Sequence, residues 1–222
     1  MKILNLYAGI GGNRKLWGNA HEITAIEINP DIAKIYKDLY PNDKVIIDDA
    51  HDFLIKNYKD YEFIWSSPPC QSHSIVNHFL NAQGVVRYPD LKLYEEIFLL
   101  KYLYKGKYVV ENVKSYYAPL IKPQLIGRHY FWSNFKILKM SEKIDSQIGR
   151  LAPNRGLKNN MKKIRTENNN LHQLGFDLSK YIIKNKIQLL KNCVHPKIGK
   201  NILDQAFKIY KSNNIKQNTL FE

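Results

Sequence analysis

Six short runs rich in β-branched and aromatic residues, separated by stretches of helical length, occupy the first 135 residues and constrain the fold more than any other feature. They cover residues 2–8, 22–28, 44–48, 62–66, 108–113 and 129–135. Strands spaced in this way need crossover connections, so the expected architecture is α/β, a parallel sheet with helices packed on it. Between the runs, residues 30–39 open on Asn29-Pro30 and place Ile32, Ile35, Tyr36 and Leu39 at a helical period. Residues 91–104 repeat that period through Leu93, Tyr94, Ile97, Leu100 and Leu103, and residues 198–210 do so through Ile198, Ile202, Leu203, Ala206, Phe207 and Tyr210. No internal repeat interrupts the pattern. In open sheets of this kind ligands gather beyond the carboxyl ends of the strands. The residues just after each run are therefore the candidates for chemistry.

Charge divides the chain differently. Residues 1–135 hold 16 Lys/Arg against 14 Asp/Glu, whereas residues 136–222 hold 18 against 6. An AT-rich coding bias would raise lysine and asparagine, but it would not remove acids from the same region. A nearly neutral front and a strongly basic back assign the back to a polyanion. Residues 136 to about 170 are polar, asparagine-rich and broken by Gly149, Pro153 and Gly156, and read as an irregular insertion with a short structured piece near 171–181. The only cysteines are Cys70 and Cys193, so a disulfide framework is not expected and a reducing cytoplasm is. The N-terminal residues turn polar too soon for a signal peptide, and no apolar run has membrane-spanning length. Neither cysteine, and none of the seven histidines, has the spacing of a metal site.

Three motifs stand at strand ends. Tyr7-Ala8-Gly9-Ile10-Gly11-Gly12 follows the first strand, where glycines let the backbone approach a ligand that a Cβ would repel. The second strand ends in Ala25-Ile26-Glu27, an acid placed to accept two ribose hydroxyls, and the third in Asp48-Asp49, placed to accept an adenine amino group. Together they indicate an adenosine-type cofactor without separating S-adenosylmethionine (SAM) from a dinucleotide. Ser66-Ser67-Pro68-Pro69-Cys70-Gln71-Ser72-His73 follows the fourth strand. An arbitrary cysteine is usually a small buried apolar residue, but prolines before it and Gln-Ser after it are loop chemistry, and a thiolate there would be a strong nucleophile. Val109-Val110-Glu111-Asn112-Val113 ends the fifth strand. Glu111 is either a strand-end acid capping the next turn or a carboxyl able to protonate a ring nitrogen.

The glycine turn, then Pro-Cys-Gln, then Glu-Asn-Val, in this order on successive strands, resembles the cytosine-C5 DNA methyltransferases over roughly residues 3–135, with a closing block near 192–207. The resemblance implies a Rossmann-like SAM-dependent sheet formed by residues 1–135 and 187–222, with residues 136–186 as a small target-recognition region. It assigns Tyr7, Gly9, Ile10, Gly11 and Gly12 to the methionine part of SAM, Glu27 to the ribose, Ile28 to the adenine face and Asp49 to the adenine amino group. Pro69 would shape the pocket, and Asn192 and Val194 would return the chain to the cofactor. Cys70 would be the nucleophile, Glu111 the partner of cytosine N3, and Arg128 the grip on the cytosine carbonyl. Residues 72–89, with Ser72 and His73, would form the loop over a cytosine flipped from double-stranded DNA, and Arg150, Arg155, Lys158, Lys162, Lys163 and Arg165 would contact the nucleic acid. A bacterial or phage modification system, with a cognate restriction endonuclease, is the expected setting, without metal or membrane.

Departures accompany the match. Ile126 replaces the first arginine of the family's Gln-x-Arg-x-Arg motif, Lys191 replaces a glycine, and the recognition region is short. The competing expectations are a tRNA cytosine-C5 methyltransferase of the same family and a catalytically silent nucleic-acid-binding subunit.

Overall fold

The computed structural model describes residues 1–138, 140, 171 and 174–208. The six basic residues expected on nucleic acid, Arg150, Arg155, Lys158, Lys162, Lys163 and Arg165, lie outside them. Among the described residues the strands are β1 (Lys2–Leu6), β2 (Glu22–Ile26), β3 (Lys44–Ile46), β4 (Phe63–Ser66), β5 (Lys107–Val113), β6 (Gln124–Ile126) and β7 (His129–Ser133). They form one sheet in the order β3-β2-β1-β4-β5-β7-β6. The first five run parallel, and β7 lies antiparallel to both β5 and β6. All six expected strands are present, most shortened by a residue or two because the polar strand-end residues turn into loops. The extra strand β6 has three residues at the sheet edge, too few to show a period.

The helices are α1 (Pro30–Leu39), α2 (Ala50–Asn57), α3 (Asn77–Ala82), α4 (Lys92–Tyr102), α5 (Lys186–Lys191) and α6 (Pro196–Ala206). Helix α1 starts where Asn29-Pro30 predicts. The Asn29 side chain accepts from the amides of Asp31 and Ile32 at 2.9 and 3.2 Å, and Pro30 takes a first-turn position that needs no donor. Helix α2 is an addition to the expected pattern, and Asp49 stands at its start. The Asp49 side chain accepts from the Asp52 amide at 3.0 Å, so the residue caps a helix. Helices α3 and α5, six residues each, are also additions to the expected pattern.

The central strands β1 and β4 are buried on both faces, and each face carries its own core. Leu4, Leu6 and Ile64 pack with Leu54 of α2 and with Leu93, Ile97 and Leu100 of α4. Ile3, Phe63 and Trp65 pack on the other face with Trp17 and with Ile202 and Leu203 of α6. A third cluster joins Ile10 of the glycine turn to Ile35 of α1, to Leu174, Phe176 and Leu178, and to Leu189 and Leu190 of α5. The structured piece near 171–181 therefore packs beside the glycine turn. Burial of this kind contributes roughly 25 cal/mol per Å² of apolar surface and is the main stabilising term.

Strand order reverses between β1 and β4, since β2 and β3 lie to one side and β5 to the other. The loops after β1 and β4 thus part at the carboxyl edge and leave a crevice. One buried carboxyl group joins them from below. Glu96 of α4, 1% exposed, accepts from the Tyr7 hydroxyl at 2.6 Å and the Ser66 hydroxyl at 2.5 Å, and His51 Nδ1 of α2 stands 3.2 Å from it. Tyr7 begins the glycine turn with φ of 54°, a left-handed conformation unusual for a tyrosine, and its hydroxyl is fixed by that bond. Burial and the adjacent Glu96 push the Tyr7 hydroxyl well above its ordinary pKa, so it remains a donor. Replacing Glu96 with alanine strands the hydroxyls of Tyr7 and Ser66 in the interior. The expected loss is about 3 kcal/mol or more in urea denaturation. A loss below about 1 kcal/mol would show that the three groups find other partners.

Candidate active site

The glycine turn, the strand-end acid of β2, the loop after β4 and the ends of β5 and α5 enclose a cavity of about 250 Å³. Tyr7, Gly9, Ile10, Gly12, Glu27, Ile28, Pro69, Cys70, Glu111, Asn192 and Val194, residues drawn from five separate parts of the sequence, all line it. Of the catalytic and cofactor residues read from the sequence, Gly11, Asp49 and Arg128 do not.

On the β2 side, Glu27 accepts from the Gly9 amide and the Asn29 amide, both at 2.9 Å. A carboxylate has about four acceptor positions. Each oxygen thus keeps one for a ligand in the cavity, such as a pair of vicinal hydroxyls, while the backbone bonds hold the group in place. Ile28 follows with 65% exposure, an apolar surface at the cavity mouth suited to the face of a flat ring. The glycines divide the work differently from expectation. A Cβ on Gly11 would enter the rings of Tyr40 and Tyr36, so this glycine faces inward, where the Tyr40 hydroxyl also donates to its carbonyl at 2.9 Å. A Cβ on Gly12 would lie 2.6 Å from the Val194 carbonyl oxygen and 2.8 Å from the Cys193 side chain. Gly12 therefore admits the 192–194 return, closing the cavity on that side. Cys193, packed there with its thiol donating to the Leu189 carbonyl, has its pKa pushed up to about 12 by burial.

On the β4 side the proline exit is held in two places. Asn112, buried at the end of β5, donates to the Pro68 carbonyl at 3.0 Å, and Trp65 Nε1 donates to the Ser67 hydroxyl at 2.8 Å. The Cys70 carbonyl then accepts from the amides of His73 and Ser74, a tight turn that leaves the side chain half-buried and facing the cavity. Burial is the first reason that the thiol titrates above its ordinary range, and the charge of Glu111 is the second, while a backbone amide opposes both. Sulfur and carboxyl group share the cavity and sense each other.

Glu111 is largely buried on β5. One neighbour of Glu111 on the cavity escaped the sequence reading. His129, the first residue of β7, lines the cavity, and its Nδ1 stands 3.6 Å from Glu111 Oε1. Their proximity follows from antiparallel pairing, because Val113 faces His129 across the ladder and Glu111 lies two residues away on the same face. Arg128 occupies the turn between β6 and β7, is exposed, and its carbonyl accepts from the Lys114 amide.

The loop residues also differ from expectation. His73 is buried, 1% exposed, with Nδ1 2.6 Å from the Tyr117 hydroxyl, so in this conformation it supports the loop and presents nothing to nucleic acid. The Ser72 hydroxyl accepts from the Asp90 amide. The segment expected to be a loop over the base contains α3 and is tied down by Asn77, which donates to the Gln71 carbonyl, and by Tyr116, which donates to the Arg87 carbonyl. Among the described residues no group of three or more His, Cys, Asp or Glu could hold a metal ion, and no helix is long and apolar enough to cross a membrane.

Comparison with known proteins decides the family. The sequence model of the C-5 cytosine-specific DNA methylases matches residues 1–118, which carry the glycine turn, Cys70 and Glu111. The chain belongs to this family. No curated protein sequence matches it. Its fold is similar to that of a methyltransferase from Entamoeba histolytica, EhMeth, with a TM-score of 0.60 at 14% identity over 95% of this chain and 99% of the other. A triple mutant of Spodoptera frugiperda DNMT2 is similar over 93% of this chain and 99% of its own, with a TM-score of 0.54 at 16% identity. At these identities the likeness concerns the fold, a seven-stranded α/β sheet of the SAM-dependent methyltransferase type.

The shared field of the methylase's sulfur and carboxyl group makes a testable statement about reactivity. Glu111→Gln removes one of the two influences that raise the Cys70 pKa, so more thiolate is present at a given pH. In a Cys193→Ala background, iodoacetamide should alkylate Cys70 roughly three- to tenfold faster at pH 8 in the Glu111→Gln protein. An unchanged or slower rate would mean that the two groups do not interact.

Proposed function

We propose that this methylase transfers a methyl group from SAM to C5 of a cytosine flipped out of duplex DNA, through a covalent adduct with Cys70. The observation that carries the reading is the convergence of Cys70 and Glu111 on one cavity with the glycine turn and Glu27. The cavity suits SAM by its donors and acceptors. Glu27 has free acceptor positions for the ribose hydroxyls, Ile28 offers an apolar face to the adenine, and a Cβ on Gly9 would meet nothing within 4 Å. When bound there, SAM supplies an electrophilic methyl group.

The residues of the chain supply the rest. C5 of cytosine is a poor nucleophile until the Cys70 thiolate adds at C6 and moves electron density onto C5 and N3. Glu111 takes up a proton from solvent as the base binds and gives it to N3 as that density arrives, which makes the addition feasible at neutral pH. Neutralising the charge of the carboxyl group beforehand also lowers the Cys70 pKa, so binding a base at Glu111 and forming the thiolate favour each other. The resemblance assigns Arg128 to the cytosine carbonyl, one residue from His129. C5 takes the methyl group, a base removes the C5 proton, and the electrons of that C–H bond re-form the C5–C6 double bond and expel the sulfur as thiolate.

The target base is reachable in a duplex only after leaving the stack, at a cost of a few kcal/mol. The excess of basic residues in 136–222 would offset this through phosphate contacts, as the proposed target-recognition region. A modification system with a cognate restriction endonuclease remains the proposed setting.

Tritiated SAM offered with duplex DNA and, separately, with unmodified tRNA tests the reading. Label should enter cytosine of the DNA, should be abolished by Cys70→Ser, and should fall by about a hundredfold or more with Glu111→Ala. Label in tRNA alone would move the substrate to RNA, and full transfer by Cys70→Ser would overturn the mechanism.

A further inference from the structure

We infer that His129 is a positioning residue for Glu111, and that its imidazolium form stabilises the carboxylate left when Glu111 gives up its proton. The inference rests on the proposed cytosine chemistry and adds to it a residue that neither the family match nor the motifs assign. His129 Nδ1 is 3.6 Å from Glu111 Oε1, just beyond hydrogen-bond distance, and both side chains line the cavity. A small rotation of either ring or carboxyl group closes the contact. The ring is steadied by its edge-on approach to Phe131, at 6.4 Å between centroids, and by its place at the start of β7.

The geometry divides the carboxyl group between two tasks. A donor at Oε1 turns Oε2 toward the base, where it holds the proton for N3. As the Cys70 sulfur bonds to C6, the ring's π electrons move toward N3, the O–H bond at Oε2 breaks, and N3 gains the proton. A full negative charge then resides on Glu111 within reach of the Nδ1–H of His129. The imidazole keeps its proton throughout. When the sulfur leaves, the proton returns from N3 to Glu111 and restores its carboxyl group, while the proton lost from C5 passes to a separate base, water in the cleft. Charge-assisted donors of this kind are stronger than neutral ones, and histidine is the side chain whose ordinary titration falls between pH 5 and 8. The other ionisable groups on the cavity are Tyr7 after β1, Cys70 after β4, Glu27 after β2, and Lys191 and Cys193 at the end of α5, with Arg128 beside His129 in the chain and Lys114 joined to Arg128 by the backbone. The test is therefore a comparison between variants.

Single-turnover methyl transfer into duplex DNA should be measured from pH 6 to pH 8.5 for the unaltered protein, His129→Phe and His129→Lys. Phenylalanine keeps the ring volume without a donor, and lysine supplies a cation that does not titrate in this range. The rate ratio of unaltered protein to His129→Phe should be about tenfold or more at pH 6 and shrink as pH rises. His129→Lys should lose that pH-dependent ratio and recover part of the rate, and SAM affinity should stay within about twofold in both. Equal rates for His129→Phe at every pH, with Glu111→Ala and Cys70→Ser still inactive, would overturn the role of His129 and leave the proposed reaction standing. An unaltered protein that transfers no methyl group to cytosine would overturn both. A pH-independent loss that His129→Lys shares in full would make His129 structural and also overturn the inference.

Discussion

The buried carboxyl group of Glu96 is the contact on which the geometry of the cleft depends. The reversal of strand order opens a crevice between β1 and β4, but a crevice alone would leave two loops free to drift apart. Glu96 binds the Tyr7 hydroxyl from one loop and the Ser66 hydroxyl from the strand that leads to the other, with His51 behind it. Such a group is costly to bury unless its partners are in place, and here both oxygens have hydroxyl donors. The same bond keeps Tyr7 in its left-handed conformation and thereby sets the path of the glycine turn.

Above that anchor, each loop has its own brace. Gly12 lets the 192–194 return press on the glycine turn, and Glu27 ties that turn to β2 through the Gly9 amide. Asn112 and Trp65 hold the proline exit that carries Cys70. Bonds made by the protein's own backbone and side chains thus hold both sides of the cavity in place. Preorganisation of this kind is where electrostatic catalysis finds most of its effect.

Much of this was legible in the residue order, and the limits have physical causes. Strands announced themselves by apolar runs, and their ends by the polar residues Glu27, Cys70 and Glu111, because burial and loop chemistry differ sharply at those positions. Asp49 shows a second limit, because a helix cap and a ligand acceptor call for the same residue type in the same place, and residue order alone does not reveal the cap. Gly11 looked like a cofactor glycine, but its lack of a Cβ serves Tyr36 and Tyr40. His73 reads as part of an open loop, but the Tyr116-Tyr117 segment, more than forty residues away, packs against it and makes its site an interior one. His129 was invisible for a related reason. Its nearness to Glu111 arises from the register of an antiparallel pair, which no local pattern encodes.

The account stands on a sulfur–carbon bond between Cys70 and C6 of a target cytosine. A duplex in which fluorine replaces hydrogen at C5 of the target should stop the reaction at that stage, since the leaving proton is absent. Incubated with SAM, the protein should gain the mass of the modified strand plus one methyl group, and peptide mapping should place the linkage on Cys70. A linkage at any other residue, or none on a duplex whose unfluorinated counterpart is methylated, would contradict the central claim.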